Sequence, residues 1–352
     1  MEILTHILSF LLATSVIWFL SGILIDATDT VAKHYHKPGF AVAFFVLGFL
    51  TSIGEISVAT NATLQGIPQV SAGNLVGASI VIILFIIPLL AVLGNGIPMT
   101  RALRPSTVAL LLFVVLLPAL CALDGKITPM EGVLILLFYG ALILHIRKKV
   151  PARETARESL RETKETLIHT RYATARDIAK IIVGALFIFI AGNVLVDESA
   201  YFARALHLPL SFVGLLVLSI GTNFPELVIA VRCVLGRHKD IAFGDYMGSA
   251  AANTLIFGLL VIANGPFTII MSEAVLTCVI SAIGFTLFFF FARTKETLSR
   301  TEGSILLAIY GCFLLFQIFN AFRLPDDTQL EAMNSTARGA SAVEFEQVPI
   351  LP

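Results

Sequence analysis

Ten apolar runs fill most of this 352-residue chain, at about 3–25, 38–65, 70–95, 105–123, 129–147, 177–196, 209–235, 242–264, 267–292 and 302–322. At 1.5 Å per residue, each can cross a hydrocarbon core of ~30 Å. Hydrocarbon offers backbone N–H and C=O groups no partner, so runs of this length must span as helices. Composition agrees: 57% of the residues are hydrophobic and 14% charged, against ~25% charged in an ordinary soluble domain. A cytosolic enzyme and a disordered chain are excluded. The 24 basic and 24 acidic residues cancel, which leaves no basic field for a nucleic-acid partner. The first run has no basic residue before it and is long enough to span, so it is read as a helix and not as a signal peptide. Cys121, Cys233, Cys278 and Cys312 lie in or at apolar runs with no metal-binding spacing.

Shifted by 171 residues, the chain aligns with itself without a gap. Asp26 falls on Asp197, Pro38 on Pro209, Thr51 on Thr222, Glu55 on Glu226, Gly73 on Gly244 and Gly77 on Gly248. Further on, Glu131-Gly132 meets Glu302-Gly303, and Tyr139-Gly140 meets Tyr310-Gly311. Each half holds five helices. An odd number makes the second copy enter the membrane upside down, which is the inverted-repeat plan of secondary transporters. The expected fold is therefore an all-α polytopic membrane protein, with ten transmembrane helices in two inverted five-helix repeats. The first repeat covers 1–147 and the second 177–322. Residues 148–176, where Arg and Glu recur every four positions, read as a charged cytoplasmic connector, and residues 323–352 as a disordered tail. Of the 24 Lys and Arg residues, all but Lys126, Arg204, Arg323 and Arg338 lie in the odd-numbered loops. The positive-inside rule puts those loops, the basic stretch 147–180 included, in the cytoplasm and both termini outside. Short loops and the lack of a large cytoplasmic domain point to a plasma (inner) membrane.

Glu55 and Glu226 carry the chemistry. Both lie well inside apolar runs, where an ionised carboxylate costs about 2.5–3.5 kcal/mol on insertion scales. No Lys or Arg lies deep in any run, so a bound cation is the simplest compensation. Two protonated structural glutamates are the alternative, and the symmetric pairing favours the cation. Thr51 and Thr222 stand four residues before the acids and share their helix faces, while Ser52 and Asn223 stand three before. Pro225 has no N–H and so frees the carbonyl of Gly221. This predicts an interruption in helix 7, and such breaks persist only beside a cavity or inside protein. Carboxylates, hydroxyls and freed carbonyls form an all-oxygen set suited to Ca²⁺ or Na⁺. In the eighth run Asp245, Ser249 and Asn253, spaced by four, predict an inward polar stripe. The third run shows Asn74, Ala78 and Ile82 at the same places. Asn74 and Asp245 fit either a helix cap or a part in ion access.

The strings GTNFPE (221–226) and GDYMGS (244–249), with weaker copies LTSIGE (50–55) and GNLVGA (73–78), resemble the alpha repeats of the calcium/cation antiporter superfamily. The resemblance covers residues 1–322. It implies helices 2 and 7 broken near the ion site, packing against helices 3 and 8, and alternating access by sliding of helices 1 and 6. It implies Ca²⁺ ligation by Glu55 and Glu226 with backbone oxygens of Thr51 and Thr222. Ser52, Asn223, Ser249 and Asn253 match positions that help form flanking Na⁺ sites. Gly54 stands where the family usually has proline, and Ala78 and Ile82 replace polar residues of helix 3. The function expected is antiport of Ca²⁺ for Na⁺ or H⁺ by a monomer, with lipid and inorganic cations as partners and no cofactor. The alternatives are an exchanger coupled to H⁺ or carrying Mg²⁺ or Mn²⁺, a passive channel, and a non-transporting ion-binding member. An intramembrane enzyme is not expected, since HExxH and Gly-x-Ser-x-Gly are both absent.

Overall fold

The protein is seen in a computed structural model that describes residues 2–34, 52–98, 105–149, 171–206, 208–223, 226–227, 239–294 and 297–321. In chain order the helices are α1 (Glu2–His34), α2 (Ile53–Leu64), α3 (Pro68–Leu93), α4 (Pro105–Cys121), α5 (Pro129–Lys149), α6 (Arg171–Ala205), α7 (Leu210–Thr222), α8 (Lys239–Asn264), α9 (Met271–Thr294) and α10 (Arg300–Ala321). All but α2 and α7 are long and apolar enough to cross a bilayer, which makes eight spans among the described residues. What else belongs to the second and seventh expected runs lies at 38–51, 224–225 and 228–235, outside the described residues. Most of the connector (150–170) and the tail (322–352) lie outside them too.

Several helix starts are written locally. Proline, which lacks an N–H and has a fixed φ, opens α3, α4 and α5 at Pro68, Pro105 and Pro129. Ahead of α5, Glu131 accepts hydrogen bonds from the Thr128 N–H (2.6 Å) and hydroxyl (2.9 Å). Glu302 does the same for Ser299 ahead of α10, at 2.8 and 2.7 Å. These are capping boxes at positions 171 apart. Two helices widen into π-turns, α3 over Val81–Ile86 and α7 over Gly214–Leu218. In α3 the turn runs into Pro88, which cannot donate to the carbonyl of Leu84.

The halves pack as a two-fold related pair. Helices α1 and α6 lie antiparallel: His6 meets Glu198 near one end, and Phe19 shares a groove with Phe187 toward the other. Helices α3 and α8 form the centre, with 78% of each apolar span buried, against 22% for α1 and α5. Four two-residue strands among the described residues, which the sequence reading did not anticipate, tie the halves together. Strand β1 (Ile97–Pro98) pairs antiparallel with β4 (Thr297–Leu298), and β2 (Lys126–Ile127) with β3 (Phe267–Thr268). At the 171-residue shift, β1 corresponds to β3 and β2 to β4. Each strand therefore pairs with the counterpart of its own repeat's other strand, as a two-fold axis requires. One traverse, α4, separates β1 from β2, so the two pairs sit at opposite ends of the molecule.

Candidate cation site

Helix α2 begins at Ile53, with Ser52 before it and Glu55 in its first turn. Helix α7 ends at Thr222, and Asn223 follows in a turn. Helical geometry is present again at Glu226–Leu227. The intervening Phe224 and Pro225, and hence the predicted break, lie outside the described residues, as does Thr51. Both acids are wholly buried: Glu55 and Glu226 have 0% exposure. Neither carboxylate oxygen of Glu55 has a hydrogen-bond partner among the described residues.

The polar residues around them converge from four helices. The Ser52 and Ser249 hydroxyls are hydrogen-bonded at 3.3 Å, which joins the start of α2 to the middle of α8. The Thr222 hydroxyl donates to Asn74 Oδ1 at 3.3 Å, which joins the end of α7 to α3. Thr222 also lies beside the Glu55 carboxylate without completing a hydrogen bond to either oxygen. A Cβ placed on Gly54 would come within 3.9 Å of Thr222 Cβ, so the start of α2 meets the end of α7 next to Glu55. The Tyr246 hydroxyl of α8 donates to the backbone carbonyl of Glu226 at 3.3 Å. Asn253, one turn beyond Ser249, is buried, and both its side-chain polar atoms lack a partner among the described residues. Asn223 donates to the Ser219 carbonyl at 2.7 Å, while its buried Oδ1 has no donor among the described residues. Unmatched buried oxygens are costly. Those of Glu55, Asn223 and Asn253 lie on segments joined by the Ser52–Ser249 and Thr222–Asn74 bonds.

Glycine explains how the helices come this close. A Cβ on Gly73 or Gly77 of α3 would overlap the carbonyl oxygens of Ser211 or Leu215 in α7, and one on Gly214 would overlap that of Val70. The backbones of α3 and α7 are therefore in contact, as small residues permit in membranes. The expected stripe on α8 is present at Ser249 and Asn253, both 1% exposed. On α3, Ala78 and Ile82 are buried without adding a polar atom, and Asn74 alone is polar among the three. The capping alternative is corrected for Asn74 and Asp245. Helix α3 starts at Pro68 and α8 at Lys239, so both residues lie inside their helices. Tyr246 was missed by the sequence reading, because a tyrosine in an apolar run looks like packing until its hydroxyl is placed.

The chain matches the model of the family described as sodium/calcium exchanger protein over residues 5–147 and 177–319. It is 24% identical to an uncharacterized membrane protein, MJ0091, of Methanocaldococcus jannaschii over 86% of this chain and 94% of that one. It is 32% identical to the sodium/calcium exchanger MaX1 of Methanosarcina acetivorans over 40% of each chain. It is 23% identical to the putative antiporter CaxA of Alkalimonas amylolytica over 80% of this chain and 89% of that one. Its fold is similar to that of the sodium-calcium exchanger NCX_Mj soaked with Na⁺ and Sr²⁺, with a TM-score of 0.61 at 20% identity over 90% of this chain and 99% of that one. With two inverted halves that both match the family model, this multi-pass membrane chain belongs to the sodium/calcium exchanger protein family.

Proposed function

We propose that this cation antiporter moves Ca²⁺ across the membrane in exchange for Na⁺ or H⁺, by alternating access around Glu55 and Glu226. The observation that carries the reading is the complete burial of two repeat-equivalent carboxylates among polar atoms from α2, α3, α7 and α8. Two ionised carboxylates carry a charge of −2, which one Ca²⁺ balances. Na⁺ or protons can restore the same balance when Ca²⁺ leaves. Obligate exchange follows if the helices change sides only when the buried charge is neutralised, because a net charge in the hydrocarbon is costly. Ser52, Thr222, Asn223, Ser249 and Asn253, with the backbone of Thr51, supply the oxygens that flank the acids. The chain acts as a monomeric carrier and not as an enzyme. It sits in the plasma membrane with the β1–β4 end in the cytoplasm and both termini outside. The two repeats, 1–147 and 177–322, are its working halves, and 148–176 connects them.

A second reading keeps the site and changes the coupling. Ala78 and Ile82 leave the α3 side of the site with Asn74 as its polar contributor among those three residues, which removes oxygen ligands on that side and favours H⁺ over Na⁺ as counter-ion. The deciding experiment is radioactive Ca²⁺ uptake into proteoliposomes under an outward Na⁺ gradient, an outward proton gradient or none, with Glu55→Gln and Glu226→Gln alongside. Uptake under one gradient alone, lost in both variants, names the counter-ion. Gradient-driven uptake at the wild-type rate in either variant would sink the paired-glutamate mechanism.

A further inference from the structure

Another buried carboxylate stands apart from the cation site. Glu273, in the first turn of α9, is 6% exposed. Its Oε2 accepts a hydrogen bond of 2.7 Å from the Ser211 hydroxyl at the start of α7. Its Oε1 has no partner among the described residues. Glu273, Ser211 and Thr277 line a cavity of about 40 Å³ whose other walls are mostly apolar, from Ala72 and Val76 of α3 to Phe257 of α8. A water needs ~10–15 Å³ on that measure, so water can enter. The cavity lies at the end of the molecule that carries the β2–β3 pair, with Ile127 and Ile269 in its wall.

We propose that Glu273, held by Ser211, is a proton-binding site separate from the Glu55–Glu226 pair. An ionised carboxylate in such a place needs a compensating charge or several donors. No cationic side chain pairs with Glu273 among the described residues. No other lining residue is titratable. On the flanking segments, Asp124 and Lys126 are exposed, Cys121 is half-buried, and Glu131 is engaged with Thr128. A metal cation fits poorly. Ca²⁺ takes six to eight oxygens, whereas the side chains here offer one carboxylate and two hydroxyls. One of those, Thr277 Oγ1, already accepts from Gln317 Nε2 at 2.6 Å. A proton on Oε1 satisfies the charge while Ser211 keeps donating to Oε2. The Ser211–Glu273 pair has no counterpart in the first half: the positions equivalent to them at the 171-residue shift are Phe40 and Ala102. The proton thus ties α9 to the start of α7, the helix that leads to Thr222 and Glu226.

The test is infrared spectroscopy of the full chain in lipid, titrated over pH, in a Glu55→Gln/Glu226→Gln background that silences the other pair. A protonated-carboxyl carbonyl band is expected at neutral pH, absent after Glu273→Gln and shifted after Ser211→Ala. Glu273→Gln, which mimics the neutral acid, is expected to keep the melting temperature of its background. A spectrum unchanged by Glu273→Gln, or a band abolished by Na⁺ at fixed pH, would overturn the proposal. If Glu273→Gln does not fold, Ser211→Ala decides alone, and an unshifted band there refutes the pairing. No transport is required, so the result stands whatever the counter-ion proves to be.

Discussion

Asn74 shows how one side chain changes meaning with its surroundings. In sequence it is a polar residue near the start of a glycine-rich run, and a helix cap is a reasonable reading. Placed inside α3, it instead accepts from Thr222 across the contact with α7. Asn74→Ala removes that bond and the tie it makes between α3 and the end of α7. The net loss for a bond of this kind is ~1 kcal/mol, which lowers apparent cation affinity by roughly fivefold, read as the Ca²⁺ concentration for half-maximal uptake. Asn74→Asp retains the acceptor and should keep or raise the affinity. The acids themselves make a binding prediction that needs no gradient. A cation bound only by the folded state stabilises it by ~2.7 kcal/mol at one hundred times its Kd. Saturating Ca²⁺ should therefore raise the melting temperature of the purified protein. Glu55→Gln or Glu226→Gln should abolish that rise, and a full rise in either variant would remove that acid from the site.

Between elements, the contacts that matter are made by residues too small to look important. A Cβ on Gly132 of α5 would press on the Gly258 carbonyl of α8 at 2.9 Å, and one on Gly303 of α10 on the Pro88 carbonyl of α3 at 2.8 Å. These are equivalent helix contacts in the two repeats, offset by one residue at the 171-residue shift. Overpacking a close crossing costs ~1–3 kcal/mol. Gly132→Val and Gly303→Val should each lower the melting temperature in detergent, by similar amounts. Gly140→Ala and Gly311→Ala, where an added Cβ meets nothing within 4 Å, should be neutral or slightly stabilising. A large asymmetry between the first two variants would show that the halves are not packed alike. Helix α2 is held differently, by polar bonds to α6. Ser57 donates to the Ile188 carbonyl at 3.1 Å, Asn61 to that of Phe189 at 3.2 Å, and Gln65 to Asp197 at 2.9 Å. Their spacing of four is visible in the sequence, but the partner helix is not, since any neighbour with free carbonyls would satisfy the same stripe.

For the whole molecule, inversion of the repeats predicts opposite faces for equivalent turns. On a background with the four cysteines replaced by serine, Asn95→Cys beside β1 and Asp124→Cys before β2 should be labelled by a membrane-impermeant thiol reagent from opposite sides. Labelling of both from one side would contradict the two-fold plan. That plan was legible in the chain because a 171-residue repeat of Glu, Pro and paired Gly, with five apolar runs per copy, admits few other arrangements. Hydrocarbon has no water to satisfy a backbone, so length and apolarity alone dictated helices. The burial of the two acids was legible too, because both stand well inside apolar runs. What remained hidden depends on distance between helices. That Ser52 meets Ser249, that Asn74 sits within the site and that Tyr246 reaches the Glu226 carbonyl follow from the α3–α7 approach and the placing of α8, not from spacing along the chain. Glu273 was hidden for the same reason: an acid in the first turn of a helix reads as a favourable end charge. Only the packing of α7, α3 and α9 around it shows that it faces a small, mostly apolar cavity and not bulk solvent.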